Sequence, residues 1–509
     1  MISKVPSCTL QGIEGSMIEV EVDLSEGLPS FDLVGLPDSA VRESKERVRS
    51  AIKNSGFSFP IKRITVNLAP AHIRKEGPAF DLPIALGILA SSGIIPKKSL
   101  HNIVCMGELS LDGKIRPIHG LLSLVHCAYK NQFTQCMIPE ANAQEGALIE
   151  GITLWAASDL KSVVAHLLQE YSLNKIKNTT AKSISEPDPT IPDFSYIKGQ
   201  QTVKRALEIA AAGSHNVIMV GPPGSGKTMM ARCLPGILPA LTFEESMEIT
   251  KIYSVAGLLP EKQGLISKRP FRAPHHTISP SALVGGGHNP KPGEVSLAHY
   301  GVLFLDELPE FKRNVLEMMR QPLEDGKVTI ARNHGHYTYP SNFMLVAALN
   351  PCPCGFYPDI EKCTCTPMQI HRYLGKISGP LLDRIDLHVE AAAIEYEELT
   401  NKSLEESSQT IQKRVQKAVQ IQNERFKQDT ILFNAQMNPK HIEKYCILGK
   451  EESKLLETIF STLDLSARAY HRILKVARTI ADLEESSFIQ VHHITEAAQY
   501  RNLDRNYNI

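Results

Sequence analysis

Along residues 1–173 the hydrophobic pattern changes period several times. Apolar side chains alternate at Ile18, Val20, Val22 and Leu24, which predicts a half-buried strand, and Ile64 to Leu68 predict a second. Val41, Val48 and Ile52 fall at helical spacing and the run Asp81 to Ala90 reads as a buried helix, so this first unit is α+β. Residues 174–193 are polar, carry Pro187, Pro189 and Pro192, and offer little to bury, as a linker does. Beyond them the pattern changes. A helical run, Val203 to Ala212, precedes the short stretch Asn216 to Val220, and Val302 to Leu305 and Phe343 to Leu349 are apolar throughout. Such runs fit parallel strands covered on both faces, so residues 194–395 form an α/β sheet domain. Residues 396–509 are helical, with Ser466 as a cap and Ile473, Val476, Ile480 and Leu483 as an apolar stripe.

The sheet domain carries chemistry at its strand ends. Gly221-Pro222-Pro223-Gly224-Ser225-Gly226-Lys227-Thr228 lies between the first strand and a helix-compatible run, Met229 to Leu234. This is a phosphate cradle: backbone N–H groups face phosphate oxygens, Lys227 reaches the β- and γ-phosphates, and Thr228 holds Mg²⁺. The expected ligands are therefore ATP and Mg²⁺. Asp306 and Glu307 follow the run Val302 to Leu305 and emerge at the carboxyl edge, where open α/β sheets place ligands. Asp306 is the second Mg²⁺ ligand and Glu307 the group that orients the attacking water; the alternative is an acidic turn capping the next helix. Asn350 ends the strand Phe343 to Leu349 and reads as a γ-phosphate or water sensor, or else as a turn residue before Pro351.

Cys352, Cys354, Cys363 and Cys365 form two C-x-C pairs separated by eight residues. Four thiolates suit tetrahedral Zn²⁺ in a closed, structural site; reduced structural cysteines are the other reading. With ten cysteines in 509 residues and no disulfide-like framework, the expected setting is a reducing cytoplasm. Met1 to Leu10 has no long apolar core and Leu82 to Ile95 is broken by Pro83, Gly87, Ser91, Ser92 and Gly93, so neither a signal peptide nor a membrane span is expected. Basic and acidic residues balance at 55 each, so any nucleic-acid contact must be local.

Two resemblances extend this reading. Arg63 to Pro70, Lys75 to Pro83 and Gly107 to Lys114 resemble the Lon peptidase domain, but Ala79 stands where that family has its Ser nucleophile. The stretch Leu121-Leu122-Ser123-Leu124 also lacks the partner Lys, which implies an inactive copy. Over essentially the whole chain the sequence resembles the YifB/ComM family of magnesium-chelatase-like AAA+ ATPases, most specifically at Arg269 to His276, Pro292 to His299 and Asn350 to Gly355. The resemblance implies an AAA+ P-loop core with a C-terminal helical lid, preceded by the Lon-like α+β domain. It implies an arginine finger at Arg384, acting across a subunit interface in a homo-oligomer, a hexamer; local pairing with Asp383 or Asp386 is the alternative. Arg468, with Arg472 next, matches the sensor-2 position, or belongs to a solvated basic face with Lys475. Lys327 to Tyr339 matches a presensor hairpin whose Arg332, His334 and His336 meet DNA phosphates, unless it is an ordinary polar tip. The stretches Lys268 to His276 and Leu283 to Lys291 read equally as a second pore loop or a packed insertion. The implied function is an ATP-driven motor on single-stranded or branched DNA, a helicase or branch-migration enzyme in natural transformation. A chelatase-type ATPase remodelling a protein partner is the alternative, and a peptidase lacks its dyad.

Overall fold

A computed structural model describes residues 2–177, 190–260, 264–287, 289–332, 335–393, 396, 405–463 and 466–501. The expected linker lies mostly outside these residues. Its first residues, Asn174 and Lys175, pair with Ala156 and Trp155 as an edge strand.

The N-terminal α+β unit is built on two four-stranded sheets. Strand Glu14–Ser25 pairs with Ile2–Gln11 on one side and Arg63–Ala69 on the other, and Ser30–Val34 runs parallel to Arg63–Ala69 at the edge. The predicted alternation is realised: Ile18, Val20, Val22, Ile64, Val66 and Leu68 point inward against helices Ser39–Asn54 and Asp81–Ser91. Helix Asp81–Ser91 is buried along its whole length, so it lacks the polar face of a surface helix.

The sheet domain has one parallel sheet, in the order Phe271–Arg272, Val302–Leu305, Met344–Leu349, Val217–Val220, Leu387–Glu390. Successive residues of the three central strands enter different cores, which explains their unbroken apolar runs. Val217, Met219, Val302, Phe304, Val346 and Leu387 face one cluster, shared with helices Gln201–Gly213, Ser408–Arg425 and Ala467–Leu483. Ile218, Val220, Leu303, Leu305, Leu345 and Ala347 face the other. In the lid, Ile473, Val476, Ile480 and Leu483 are all buried, and Ser466 caps its helix by accepting the Ala469 N–H.

Helix Leu121–Lys130 of the N-terminal unit meets helix Phe243–Ala256 of the sheet domain. Buried Glu145 accepts hydrogen bonds from Leu122 N at 2.8 Å, Asn142 Nδ2 at 3.0 Å and the Ser254 hydroxyl. Its carboxylate thus satisfies a helix N-terminus and ties the two regions together. Among the described residues, no helix is long and apolar enough to cross a membrane.

Candidate nucleotide site

At the carboxyl edge of the sheet, strand Val217–Val220 runs into Gly221, whose backbone lies so close to Ala391 that a Cβ would sit 2.2 Å from its carbonyl oxygen. The loop then turns through Gly224 and Gly226, at φ of 82° and 83°, before helix Lys227–Cys233. The Lys227 ammonium donates to Gly221 O at 2.7 Å and Pro222 O at 2.8 Å, and lies 3.3 Å from both Ser225 Oγ and Asn350 Oδ1. Burial lowers its pKa, with Asp306 opposing the shift. Four of the expected groups therefore converge here. Thr228 Oγ1 donates to Asp306 Oδ2 at 2.7 Å. Two oxygens on one edge of an octahedral Mg²⁺ stand about 2.9 Å apart, given Mg–O bonds of about 2.05 Å, so this pair fits the ion with little movement. Glu307 follows in the left-handed region, at φ 52°, which turns its side chain away from the strand direction. Its carboxylate is 57% exposed and lies 3.4 Å from His276 Nδ1.

Arg384 and Arg468 are not at this edge. Asn216, at the amino end of its strand, donates from Nδ2 to Arg384 O at 2.9 Å. A four-residue strand spans about 13 Å, so neither arginine reaches phosphates held by its own loop. Both line a cavity of about 810 Å³ at the amino edge, with Tyr300, Glu324 and Arg472. Arg384 pairs with Glu324 at 2.5 Å, rather than with Asp383 or Asp386, and among the described residues its buried Nε meets no hydrogen-bond partner. Arg468 is 62% exposed and sits 3.6 Å from Asp383. Arg472 is committed within the chain, to Asp386 at 3.5 Å and Ile385 O at 3.1 Å. Lys475 donates to Ala435 O at 2.8 Å. Burial alone would raise the Asp386 pKa, but His215, Arg472 and Lys475 overcome it and hold the carboxyl well below the usual range. Of Arg468, Arg472 and Lys475, Arg468 is the one turned outward.

Strands Lys327–Arg332 and Gly335–Pro340 form the expected hairpin, Arg332 opposite Gly335, with Arg332 and His336 exposed. His334 lies outside the described residues. The Tyr339 hydroxyl donates to Pro290 O at 2.6 Å, which brings the hairpin against the Leu283 to Lys291 insertion. The two candidate substrate-bearing segments are thus neighbours.

The four cysteines also converge. Sγ separations are 3.3 Å for Cys352–Cys354, 3.8 Å for Cys352–Cys363 and 3.6 Å for Cys354–Cys363, and all four thiols lie within 4.8 Å of one another. Zn–S bonds of about 2.3 Å give a tetrahedral edge of about 3.8 Å, whereas a disulfide needs about 2.05 Å. The donor set fits Zn²⁺. Gly355 N and Tyr357 N donate to Cys352 Sγ at 3.2 and 3.4 Å. The Phe356 N–H, with Cys352 and the Thr364 N–H, brings the Cys354 thiol down to about 6. A second cluster, Glu484, His492 and His493, is different in kind. His493 Nδ1 accepts the Gln490 N–H at 2.9 Å, which puts the proton of a neutral ring on Nε2, facing Glu484 at 3.1 Å. That ring is already satisfied.

Sequence reasoning missed the partners His276 and Gln200. Gln200 Nε2 donates to Ala392 O at 2.6 Å and reaches Ser225 O at 3.4 Å, bracing the cradle from behind. His276 stands in the quoted Arg269 to His276 stretch, but nothing local signals that it faces Glu307.

The family description "Magnesium chelatase, subunit ChlI" matches residues 193–399. "Subunit ChlI of Mg-chelatase" matches residues 20–142, and "Magnesium chelatase, subunit ChlI C-terminal" matches residues 405–501. The chain is 45% identical to Competence protein ComM of Haemophilus influenzae over 500 residues, covering 97% of this chain and 96% of that protein. It is 43% identical to YifB of Salmonella typhimurium over 495 residues, covering 97% and 96%. A shorter match, 31% identical over 134 residues, covers 25% of this chain and 15% of a Lon protease of Mesomycoplasma hyopneumoniae.

Proposed function

Because the chain belongs to the YifB/ComM family of magnesium-chelatase-like AAA+ ATPases, we propose that it is a ring-forming ATP hydrolase that moves along DNA and remodels recombining strands. The observation that carries the proposal is the split of the site. Lys227, Thr228, Asp306, Glu307 and Asn350 gather at the carboxyl edge, while Arg384 and Arg468 sit at the amino edge. A head-to-tail contact between copies brings one edge against the other, and repeated with a closing rotation it makes a ring, a hexamer in this reading.

In each junction one copy binds ATP on Gly221 to Thr228, with Lys227 on the β- and γ-phosphates. Mg²⁺ held by Thr228 and Asp306 supplies charge neutralisation across the phosphates. Glu307 orients the attacking water, Asn350 holds the γ-phosphate or that water, and the neighbour's Arg384 meets the charge that develops on the transferred group, with Arg468 beside it. The exchange of Glu324 for phosphate as Arg384's partner is the step that assembly performs. Zn²⁺ held by the four cysteines completes the bound groups.

The DNA part is supported by the hairpin with exposed Arg332 and His336, and the setting in natural transformation by the relative named Competence protein ComM. The cytoplasm is the matching compartment. A peptidase role is not proposed: Ala79 packs against an apolar cluster that includes Met106, Leu121 and Leu122, which leaves no nucleophile there. The deciding experiment is ATP turnover with and without single-stranded and forked DNA. Stimulation is expected; indifference to every DNA form favours the remodelling of a protein partner.

Two substitutions refine the test. Arg332→Ala removes one phosphate contact, so the slope of log affinity against log salt falls in magnitude by about one, read by DNA-binding titrations from low to high salt. An unchanged slope removes Arg332 from the DNA path. His276→Ala frees the Glu307 carboxylate from its 3.4 Å partner, and DNA-free turnover is expected to rise severalfold in a coupled ATPase assay. A fall instead means the imidazole holds Glu307 in its working position.

A further inference from the structure

We propose that Zn²⁺ in the Cys352–Cys365 knuckle fixes the P-loop and Asn350 in their ATP-binding positions, so that metal and nucleotide bind this chain with positive coupling. This rests on the reading of Gly221 to Thr228 as the ATP site, and it assigns the four cysteines a positioning role in that site.

The knuckle has almost no core of its own. Cys352 is buried, but Ile360 is 92% exposed and Cys354, Cys363 and Cys365 are only half-buried. Ligation is therefore the main force available to fix its shape, since burial supplies little. The stretch that opens it, Cys352 to Gly355, is nevertheless placed against the nucleotide loop. Cys352 comes two residues after Asn350, directly beyond strand Met344–Leu349, and Asn350 Oδ1 lies 3.3 Å from Lys227 Nζ. On the other side, Gly355 adopts φ +88° and its backbone lies against Pro223 of the P-loop. A Cβ built there would stand 2.5 Å from Pro223 Cδ and 3.1 Å from Pro223 Cγ. A chain of contacts thus closes on itself, from Lys227 through Asn350, Cys352 and Cys354 to Gly355 and Pro223.

Removing the metal takes away the brace that the knuckle adds, through Asn350 and Gly355, to the pairing of Val220 with Leu349 and the Gly221 N–H bond to Leu349 O at 3.2 Å. With no ion to bridge the four sulfurs the knuckle opens, and both walls of the phosphate cradle move. By linkage the reverse must hold, so ATP tightens the knuckle on its metal by the same factor that zinc tightens the cradle on ATP.

The experiment uses the full-length chain purified under reducing conditions. Elemental analysis should find one zinc per chain. Stripping it with a chelator should weaken binding of a fluorescent ATP analogue at least tenfold, and re-adding Zn²⁺ should restore it, with the helical circular dichroism unchanged throughout. A competition titration with and without ATP should give the same factor in zinc affinity. Gly355→Ala keeps all four thiolates and should hold zinc while losing severalfold in ATP affinity. The proposal is overturned if the reduced protein carries no zinc yet binds ATP fully, or if stripped and zinc-loaded protein bind ATP equally. A zinc-loaded chain that binds no ATP would instead strike the reading of the P-loop itself. Should Gly355→Ala lose its metal or its fold, the reciprocal titration on the unaltered chain decides alone.

Discussion

Mixing two inactive variants, Lys227→Ala and Arg384→Ala, should restore ATP turnover. On the proposed function, Lys227→Ala removes the ammonium placed for the β- and γ-phosphates, and Arg384→Ala removes the charge offered across the junction, a loss worth about a thousandfold or more in rate. Alone, every junction in either ring carries one defect. In rings mixed at equal amounts, about a quarter of the junctions pair an intact P-loop with an intact arginine, since the interface is heterologous and each position is filled independently. Turnover near that fraction of the unaltered rate is the expected result, measured in a coupled assay after the subunits have exchanged. If both catalytic halves instead met within one chain, mixing would recover nothing, because no chain in the mixture is intact. The distance across the sheet motivates the choice: Asn216 anchors Arg384 at the amino edge, while Thr228 and Asp306 meet at the carboxyl edge.

What the sequence disclosed follows how local each signal is. The P-loop, the Asp306-Glu307 pair, Asn350 and the C-x-C pairs are each contiguous or nearly so, and a strand before and a helix after orient them without further information. The continuous runs Val302 to Leu305 and Phe343 to Leu349 gave away a sheet covered on both faces, because alternate residues such as Leu303 and Phe304 enter two different cores. What stayed hidden is long-range. The lid's apolar stripe predicts that helix Ala467–Leu483 packs, but the edge of the sheet at which Arg468 emerges depends on how that helix crosses Gln201–Gly213. That crossing is set in part by His215, whose Nε2 lies 2.8 Å from Thr479 Oγ1 and whose Nδ1 lies 3.0 Å from Asp386. Glu324 as the partner of Arg384, His276 as the partner of Glu307, and Glu145 reaching Ser254 join residues distant in the chain. No periodicity encodes them.

Glu307→Gln should separate binding from chemistry. The amide keeps the size of the side chain and its place at the end of strand Val302–Leu305, but it can neither accept a proton nor polarise water as a carboxylate does. General-base losses are typically about a hundredfold to ten-thousandfold, so turnover is expected to fall by about a thousandfold. ATP affinity should hold, because Lys227, Thr228 and Asp306, the groups proposed to hold the phosphates and Mg²⁺, are untouched. The variant should therefore accumulate as ATP-loaded rings, visible as a higher mass in light scattering when ATP and Mg²⁺ are present, and equilibrium binding of labelled ATP supplies the control. Asp306→Asn makes the useful contrast. Its carboxylate stands 2.7 Å from the Thr228 hydroxyl, so its loss should weaken the Mg²⁺-dependent part of ATP binding itself. If Glu307→Gln retains more than a tenth of the unaltered turnover, the water is oriented by another group. Asn350, 3.3 Å from Lys227 at the same edge, is then the residue to substitute next.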